Sequence, residues 1–142
     1  MSITFDDTNR AGSSSFVEQA SRAAMVPARI MLSSIFLISG AQKLTAYEAT
    51  AGYMNAFGVP GALLPAVIVF EIAAALALIV GYKARVAAFL LAGFSILAGA
   101  IFHFDPADQI QTIMLLKNVA IAGGLLAIVA AGPGALSLDR RG

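Results

Sequence analysis

The sequence predicts an all-α protein that spans a membrane four times as a compact helical bundle, with both termini in the cytoplasm. Of its 142 residues, 59% are hydrophobic and only 12% are charged, and the mean hydropathy is +0.85. A soluble domain exposes roughly a quarter of its residues as charge, which this composition does not permit. The apolar surface is therefore expected to face lipid.

The composition also excludes several classes of function. A net charge of +1 without a basic run excludes nucleic-acid binding. The sequence has no cysteine and one histidine, His103. Thiol catalysis, an iron–sulfur cluster, a bis-histidine haem within one chain and a His/Cys zinc site are therefore not expected. We predict no intrinsic cofactor and no metal site.

Residues 1–26 form a polar N-terminal segment. They lack the apolar core and cleavage site of a secretory signal, and the acids Asp6, Asp7 and Glu18 argue against an organelle transit peptide. The pattern from Ser15 to Glu18 matches a capping box, which predicts a short amphipathic helix on the membrane surface as far as Ala24. The alternative is a frayed tail with a chance match.

Four membrane-spanning helices are predicted within a domain that covers residues 27–134. The first opens at Pro27, because proline fits the first turn of a helix, and ends at Leu44. The second covers residues 62–82 and the third covers residues 86–104. Asp105-Pro106 predicts the start of the fourth, whose apolar run from 113 to 131 ends in Gly132-Pro-Gly. Residues 135–142 form a short cytoplasmic tail.

The distribution of lysine and arginine predicts the orientation. Lys43 flanks one side of the membrane, whereas the other side carries Arg10, Arg22, Arg29, Lys83, Arg85, Arg140 and Arg141. The positive-inside rule therefore places both termini in the cytoplasm. We expect the protein to lie in the cytoplasmic (inner) membrane of a bacterium.

The connection between the first two spans, residues 45–61, is too long for a minimal turn. It carries Tyr47, Tyr53, Met54 and Phe57 among polar residues, which predicts an amphipathic helix at the outer membrane interface. Such a helix could cover a ligand site in the bundle. The alternative is that it closes the bundle without binding any ligand.

Glu71 is the clearest candidate functional residue, because it lies in the middle of the second span. A charge at this depth costs roughly 3 kcal/mol unless it is paired. Lys117 in the fourth span is the predicted partner, since the two lie about 14 and 16 Å from the starts of their helices. Such an ion pair inside the membrane can belong to a proton or ligand site. The alternative is a structural clasp that fixes helix register.

Other polar residues converge on the same outer half of the bundle. The candidate ligand-binding residues are Lys43, Tyr53, His103 and Asn118. Lys43 and His103 lie near the outer boundary, where each can also reach water without any ligand. A single histidine at such a boundary is more often interfacial than catalytic.

A series of short motifs runs through residues 29–139 in a distinctive order: Arg29, Gly40-Ala-Gln-Lys43, Glu71, Gly81-Tyr-Lys-Ala-Arg85, Lys117-Asn118, Gly123-Gly-Leu-Leu and Gly132-Pro-Gly-Ala-Leu-Ser-Leu-Asp139. In this order and spacing they resemble the DoxX family of small four-helix membrane proteins. The chain departs from many members at Ala135 and Leu136, where those carry a basic or aromatic residue.

The resemblance implies a role in membrane redox chemistry. Some relatives look like membrane subunits of thiosulfate-to-quinone systems, and others are linked to complexes that handle oxidative or thiol stress. On this hypothesis a quinone or small anion binds in the outer half of the bundle, where Lys43 and Lys117 donate hydrogen bonds and Glu71 carries protons. His103 would be the exit to water. The partners would be the lipid bilayer and either other membrane redox subunits or further copies of the chain.

Two alternatives remain. In the first, the chain is a non-enzymatic assembly subunit whose ion pair only fixes helix register and whose outer surfaces dock a larger partner. In the second, it is a small-solute transporter. The second is less favoured, because the sequence shows neither an internal repeat nor a pair of interrupted half-helices.

Overall fold

Five α-helices build the part of the chain that the structure describes, residues 6–134 and 136–140 of a computed structural model. They are α1 (Asp6–Thr45), α2 (Tyr47–Ala56), α3 (Leu64–Val80), α4 (Ala84–Phe102) and α5 (Gln109–Ala131), with 3₁₀ turns at Gly61–Leu63 and Leu138–Arg140. Stretches of 19 to 30 residues in α1, α3, α4 and α5, with the turn before α3, are long and apolar enough to cross a membrane. The predicted all-α fold with four spanning helices is confirmed. Residues 1–5 of the predicted N-terminal segment and residues 135, 141 and 142 of the predicted tail lie outside this description.

The first helix differs from the prediction at its start. α1 is one uninterrupted helix of 40 residues, and Pro27 lies inside it rather than at the beginning of a span. The predicted capping box from Ser15 to Glu18 also lies within the helix, so a separate surface helix is not formed. Proline in a helix interior removes one backbone hydrogen bond. Pro27 is exposed, so the carbonyl that loses its partner can turn towards solvent or lipid headgroups.

The connection between the first two spans contains a helix, as predicted. α2 buries Met54 against Leu64 and Ile68 of α3. Asn55 Oδ1 accepts a hydrogen bond from the backbone N–H of Gly61 at 2.8 Å, which ties the end of α2 to the turn that leads into α3. The position of α2 at a membrane interface stays a prediction, as does the side of the membrane on which the termini lie.

The last helix begins three residues later than predicted. Asp108 is its N-cap, because Asp108 Oδ1 accepts the backbone N–H groups of Ile110 and Gln111 at 2.7 and 3.2 Å. Asp105, the predicted cap, instead accepts a backbone N–H two residues further on at 3.0 Å and so folds the preceding turn. Gly132 follows α5 with φ of 85°, which confirms the predicted end at residue 131.

The four long helices pack in sequence around a core of small and aliphatic side chains. α1 packs on α3, α3 on α4 and α4 on α5, whereas α1 and α5 touch only over a short stretch. The outside of the bundle is apolar as well: Met31, Phe89 and Leu116 are 73, 61 and 60% exposed. An apolar exterior of this kind is what a helical bundle presents to lipid.

Gly40 sets the close approach of α1 to α3. A Cβ atom at this position would lie only 2.8 Å from Ile72 Cγ1, which is closer than real carbon contacts. We expect Gly40→Val to lower the free energy of unfolding by about 1–3 kcal/mol through overpacking. Gly93 on α4 is the matched control, because no atom lies within 4 Å of the corresponding position. Denaturant titration in detergent micelles measures both variants, and equal losses would contradict the prediction.

Residues 136–139, here called the strap, close the end of the bundle opposite α2. The carbonyl of Leu136 accepts a hydrogen bond from Nη2 of the buried Arg29, and Ser137 Oγ donates to the Gly81 carbonyl at 2.8 Å. The Asp139 carboxylate caps α4 by accepting the backbone N–H groups of residues 83 and 84 at 2.6 and 2.8 Å. The strap thus links α1 to the turn between α3 and α4.

Candidate functional site

A cavity of about 650 Å³ lies between the helices at the end of the bundle that carries α2. All five helices contribute to its walls, which are mainly aliphatic and aromatic. The polar side chains that line it are Ser39, Lys43, Thr50, Tyr53, Glu71, Ser95, His103 and Asn118. A mainly apolar cavity with a few polar groups is the usual form of a small-molecule site.

Lys43, Glu71 and Ser39 form a hydrogen-bonded cluster in the cavity wall. Lys43 Nζ lies 3.0 Å from Glu71 Oε2 and donates to Oε1 at 3.1 Å. Ser39 Oγ accepts a hydrogen bond from Lys43 Nζ and donates one to Glu71 Oε1 at 3.2 Å. The ammonium and the carboxylate compensate each other, so the cluster is polar but carries no net charge.

The geometry of α1 explains how this cluster forms. Ser39 and Lys43 are four residues apart and therefore share one face of the helix. Gly40 lies beside them, and a Cβ atom there would lie 3.8 Å from Glu71 Cβ. Because Gly40 has no side chain, α1 can approach α3 closely enough for Lys43 to reach Glu71.

The two charged groups differ in accessibility. Glu71 is 2% exposed, whereas the Lys43 side chain is 23% exposed. Glu71 Oε2 lies beside the ammonium group but outside hydrogen-bond geometry, so its charge is compensated while it receives no hydrogen bond. Lys43 is therefore the more accessible charged group of the pair, although both side chains line the cavity.

The predicted ion pair between Glu71 and Lys117 is wrong. The partner of Glu71 is Lys43, from the first span rather than the fourth. Lys117 lies exposed on α5 with its Nζ 3.9 Å from Met114 Sδ, and it does not line the cavity. Counting residues along a helix gives depth, but two side chains at one depth meet only if their helix faces also meet.

The four candidate ligand-binding residues all line the cavity: Lys43, Tyr53, His103 and Asn118. His103 Nδ1 lies 2.8 Å from Gln111 Oε1. The Gln111 side chain, on the first turn of α5, therefore holds the imidazole ring of His103 in place at the rim of the cavity.

Tyr53 covers the cavity from α2 as part of an aromatic cluster. Its ring centroid lies 4.8 Å from that of Phe57 and 5.5 Å from that of Phe102. The Tyr53 hydroxyl also reaches the Phe102 carbonyl at 3.4 Å. From α5, Asn118 also lines the cavity, and its Nδ2 donates to the Met114 carbonyl at 3.0 Å. α2 and the end of α4 therefore close this side of the cavity with apolar rings.

Ser39 is the cluster member that the sequence analysis missed. The available signal was its spacing of four residues from Lys43, which places both on one helix face.

Within the described residues, no three His, Asp or Glu side chains come together in a way that could hold a metal ion.

Comparison with known proteins places these residues in a family context. The family model described as DoxX matches residues 24–104, which include Lys43, Glu71 and His103. The chain is 42% identical over 113 residues to the inner membrane protein YqjF of Escherichia coli (strain K12), across 80% of this chain and 87% of that protein. It is 36% identical over 121 residues to the inner membrane protein YphA of the same organism, across 80% and 86%. No solved structure gives a significant match.

Proposed function

The chain belongs to the DoxX family of integral membrane proteins, and we propose that it binds a neutral, lipid-soluble carrier of the quinone type as a subunit or accessory of a membrane redox system. The observation that carries the proposal is a charge-neutral polar cluster, Lys43, Glu71 and Ser39, in the wall of an apolar cavity. Because both similar proteins are inner membrane proteins, the proposal includes a bacterial inner membrane for this chain.

The pairing of Lys43 with Glu71 favours a neutral ligand over a small anion. An anion in this cavity would need an uncompensated positive charge, because taking it out of water is costly. The positive charge of Lys43 is already matched by Glu71 at 3.0 Å. A neutral carbonyl group needs only a hydrogen-bond donor, which the partly exposed Lys43 ammonium supplies.

The size and lining of the cavity suit a ring with an apolar tail. A volume of about 650 Å³ is well within the usual range for small-molecule sites. Side chains such as Ile35, Phe70 and Leu97 offer the apolar contacts that an isoprenoid tail needs. Ile35 and Leu97 are 41 and 59% exposed, so apolar walls continue towards the lipid-facing surface, the natural source of such a ligand.

The polar residues of the cavity would bind the ligand and exchange protons with it. Lys43 would donate a hydrogen bond to a quinone carbonyl, and the Glu71 carboxylate would take up or release the proton that accompanies each electron. His103 would connect the cavity to water. Side chains of this kind do not supply electrons, so a partner subunit would provide them.

Binding of decylubiquinone to the purified protein in lipid nanodiscs tests the proposal. Ala98→Phe places a ring in the cavity, on a different helix from the cluster, and so takes up space that the ligand needs. We expect it to weaken binding by about tenfold or more, which corresponds to a loss of about 1.4 kcal/mol in binding free energy. Ala127→Phe adds the same ring on an exposed part of α5 outside the cavity and should bind as the wild type does. Absence of binding by the wild type, or equal binding by both variants, would refute the site.

The near-complete burial of Glu71 favours one alternative, a non-enzymatic assembly subunit. A carboxylate that is 2% exposed and held by Lys43 and Ser39 also fits a pure register lock between α1 and α3. In that case the wild type would bind no quinone, while loss of either charge would still lower stability. Binding and stability measured on the same samples therefore separate the two functions.

A further inference from the structure

Lys117 is an exposed charge on a membrane-spanning helix. Its Nζ lies 3.9 Å from the sulfur atom of Met114. No acidic side chain among the described residues forms an ion pair with it. It is the ninth residue of α5, so it lies about 12 Å along the helix from Gln109. A lysine at such a depth is costly unless it is paired or reaches water.

The level of Lys117 in the bundle follows from a contact between α5 and α1. Gly124 on α5 faces Leu32 on the antiparallel α1. Lys117 precedes Gly124 by seven residues and Ser39 follows Leu32 by seven, so both lie about 10 Å from that contact towards the α2 end. Lys117 is thus level with the Lys43, Glu71 and Ser39 cluster, but on the outside of the bundle.

We propose that the outer face of α5 around Lys117 docks a membrane-spanning helix of another protein that carries a carboxylate at the level of Lys117. This inference rests on the part of the proposed function that makes the chain a subunit, and not on the ligand of the cavity. Charge complementarity selects the partner, because an ammonium group inside the membrane needs an anion at its own depth.

The shape of α5 agrees with a docked helix. Of the four membrane-spanning stretches, that of α5 has the smallest share of buried residues, 17%. Gly123 lies on its exposed side, where a Cβ atom would meet nothing within 4 Å. On that side of α5, a second helix can therefore approach the backbone closely.

A second copy of this chain does not fit as the occupant. In the described residues, Glu71 is the carboxylate that lies at the level of Lys117, and it is 2% exposed and already paired with Lys43. Two facing copies would also bring two Lys117 side chains together.

The test uses the full chain in phosphatidylcholine vesicles with synthetic Leu/Ala-rich membrane-spanning peptides that carry either Glu or Gln at the level of Lys117. Energy transfer between a dye on the amino terminus of the protein and a dye on the peptide measures association. We expect the Glu peptide to associate about 3- to 30-fold more tightly than the Gln peptide, the range of polar helix contacts in lipid. Lys117→Met should abolish the preference, and Lys117→Arg and the control Lys83→Met should keep it.

Each outcome decides the proposal. Equal association of both peptides with the wild type, or a preference that survives Lys117→Met, would overturn it. Adding phosphatidylglycerol distinguishes the lipid alternative: if this lipid removes the peptide preference and its own retention depends on Lys117, an anionic lipid is the occupant and the docking proposal fails. Quinone binding by the wild type is measured in the same vesicles, so its absence would refute the cavity ligand without changing the peptide result.

Discussion

Replacing Lys43 by methionine is expected to lower the free energy of unfolding by about 3–5 kcal/mol, the cost of leaving a buried charge without its partner. Glu71 is 2% exposed, and its carboxylate would keep only the Ser39 hydroxyl at 3.2 Å. Either the charge stays uncompensated or the carboxyl group binds a proton, and both outcomes cost stability. Thermal and denaturant unfolding in detergent micelles, followed by circular dichroism, measure the loss.

Two further variants show whether the loss comes from the ion pair. Lys43→Met combined with Glu71→Leu removes both charges, so it should recover most of the stability, because an apolar replacement of a buried pair is often neutral or better. Lys117→Met also removes a lysine from a span, but an exposed one without an acidic partner, and should change stability by less than about 1 kcal/mol. A double variant as unstable as the single one would show that Lys43 stabilises the fold by other contacts.

The sequence was sufficient to predict that Glu71 pairs with a lysine inside the bundle, but not to choose which lysine. The reason is that depth along a helix can be counted, whereas the rotation of each helix depends on packing. Between α1 and α3, packing turns Lys43 and Ser39 towards Glu71, and Gly40 permits the close approach that lets them reach it. The same limit applies to α5: Lys117 lies at the predicted level and faces outwards.

Helix boundaries show the same division between local and tertiary control. The glycine that follows α5 needs a positive φ, so Gly132 marks its end in the sequence itself. The start of α5 is ambiguous, because Asp105 and Asp108 are both good N-caps and only the turn between them decides which is used. The local preference of proline for the first turn of a helix predicts a start at Pro27. In the structure, the apolar span and the polar segment before it instead form one helix, and α1 continues through Pro27.

The strap was visible in the sequence only as a family motif, and its physical role depends on Arg29. This residue is 2% exposed, and its Nε and Nη1 atoms find no hydrogen-bond partner in the described part of the chain. Its Nη2 atom donates to the Leu136 carbonyl, and the Asp139 charge attracts the guanidinium group. Gly81 leaves the necessary room, because a Cβ atom there would collide with Arg29 and Ser137.

Deleting residues 136–142 is therefore expected to lower the free energy of unfolding by about 3–5 kcal/mol, since it leaves a buried guanidinium without compensation. Asp139→Ala removes the α4 cap and the charge that attracts Arg29 but keeps the Leu136 carbonyl, so it should cost at least as much as a lost helix cap, about 1–2 kcal/mol, and less than the deletion. Leu138→Ala is the matched control within the strap, because Leu138 is 48% exposed. Denaturant unfolding in detergent micelles measures all three.

The deletion can be separated from a general effect of shortening the chain by adding Arg29→Met to it. Without the guanidinium, the strap has no buried charge to compensate, so the second change should restore part of the lost stability. The α4 cap would still be missing, so a deficit of about 1 kcal/mol should remain. No recovery would show that the strap acts through the α3–α4 turn alone. Recovery would establish that this end of the bundle is held by one buried charge, just as the α2 end is held by the pairing of Lys43 with Glu71.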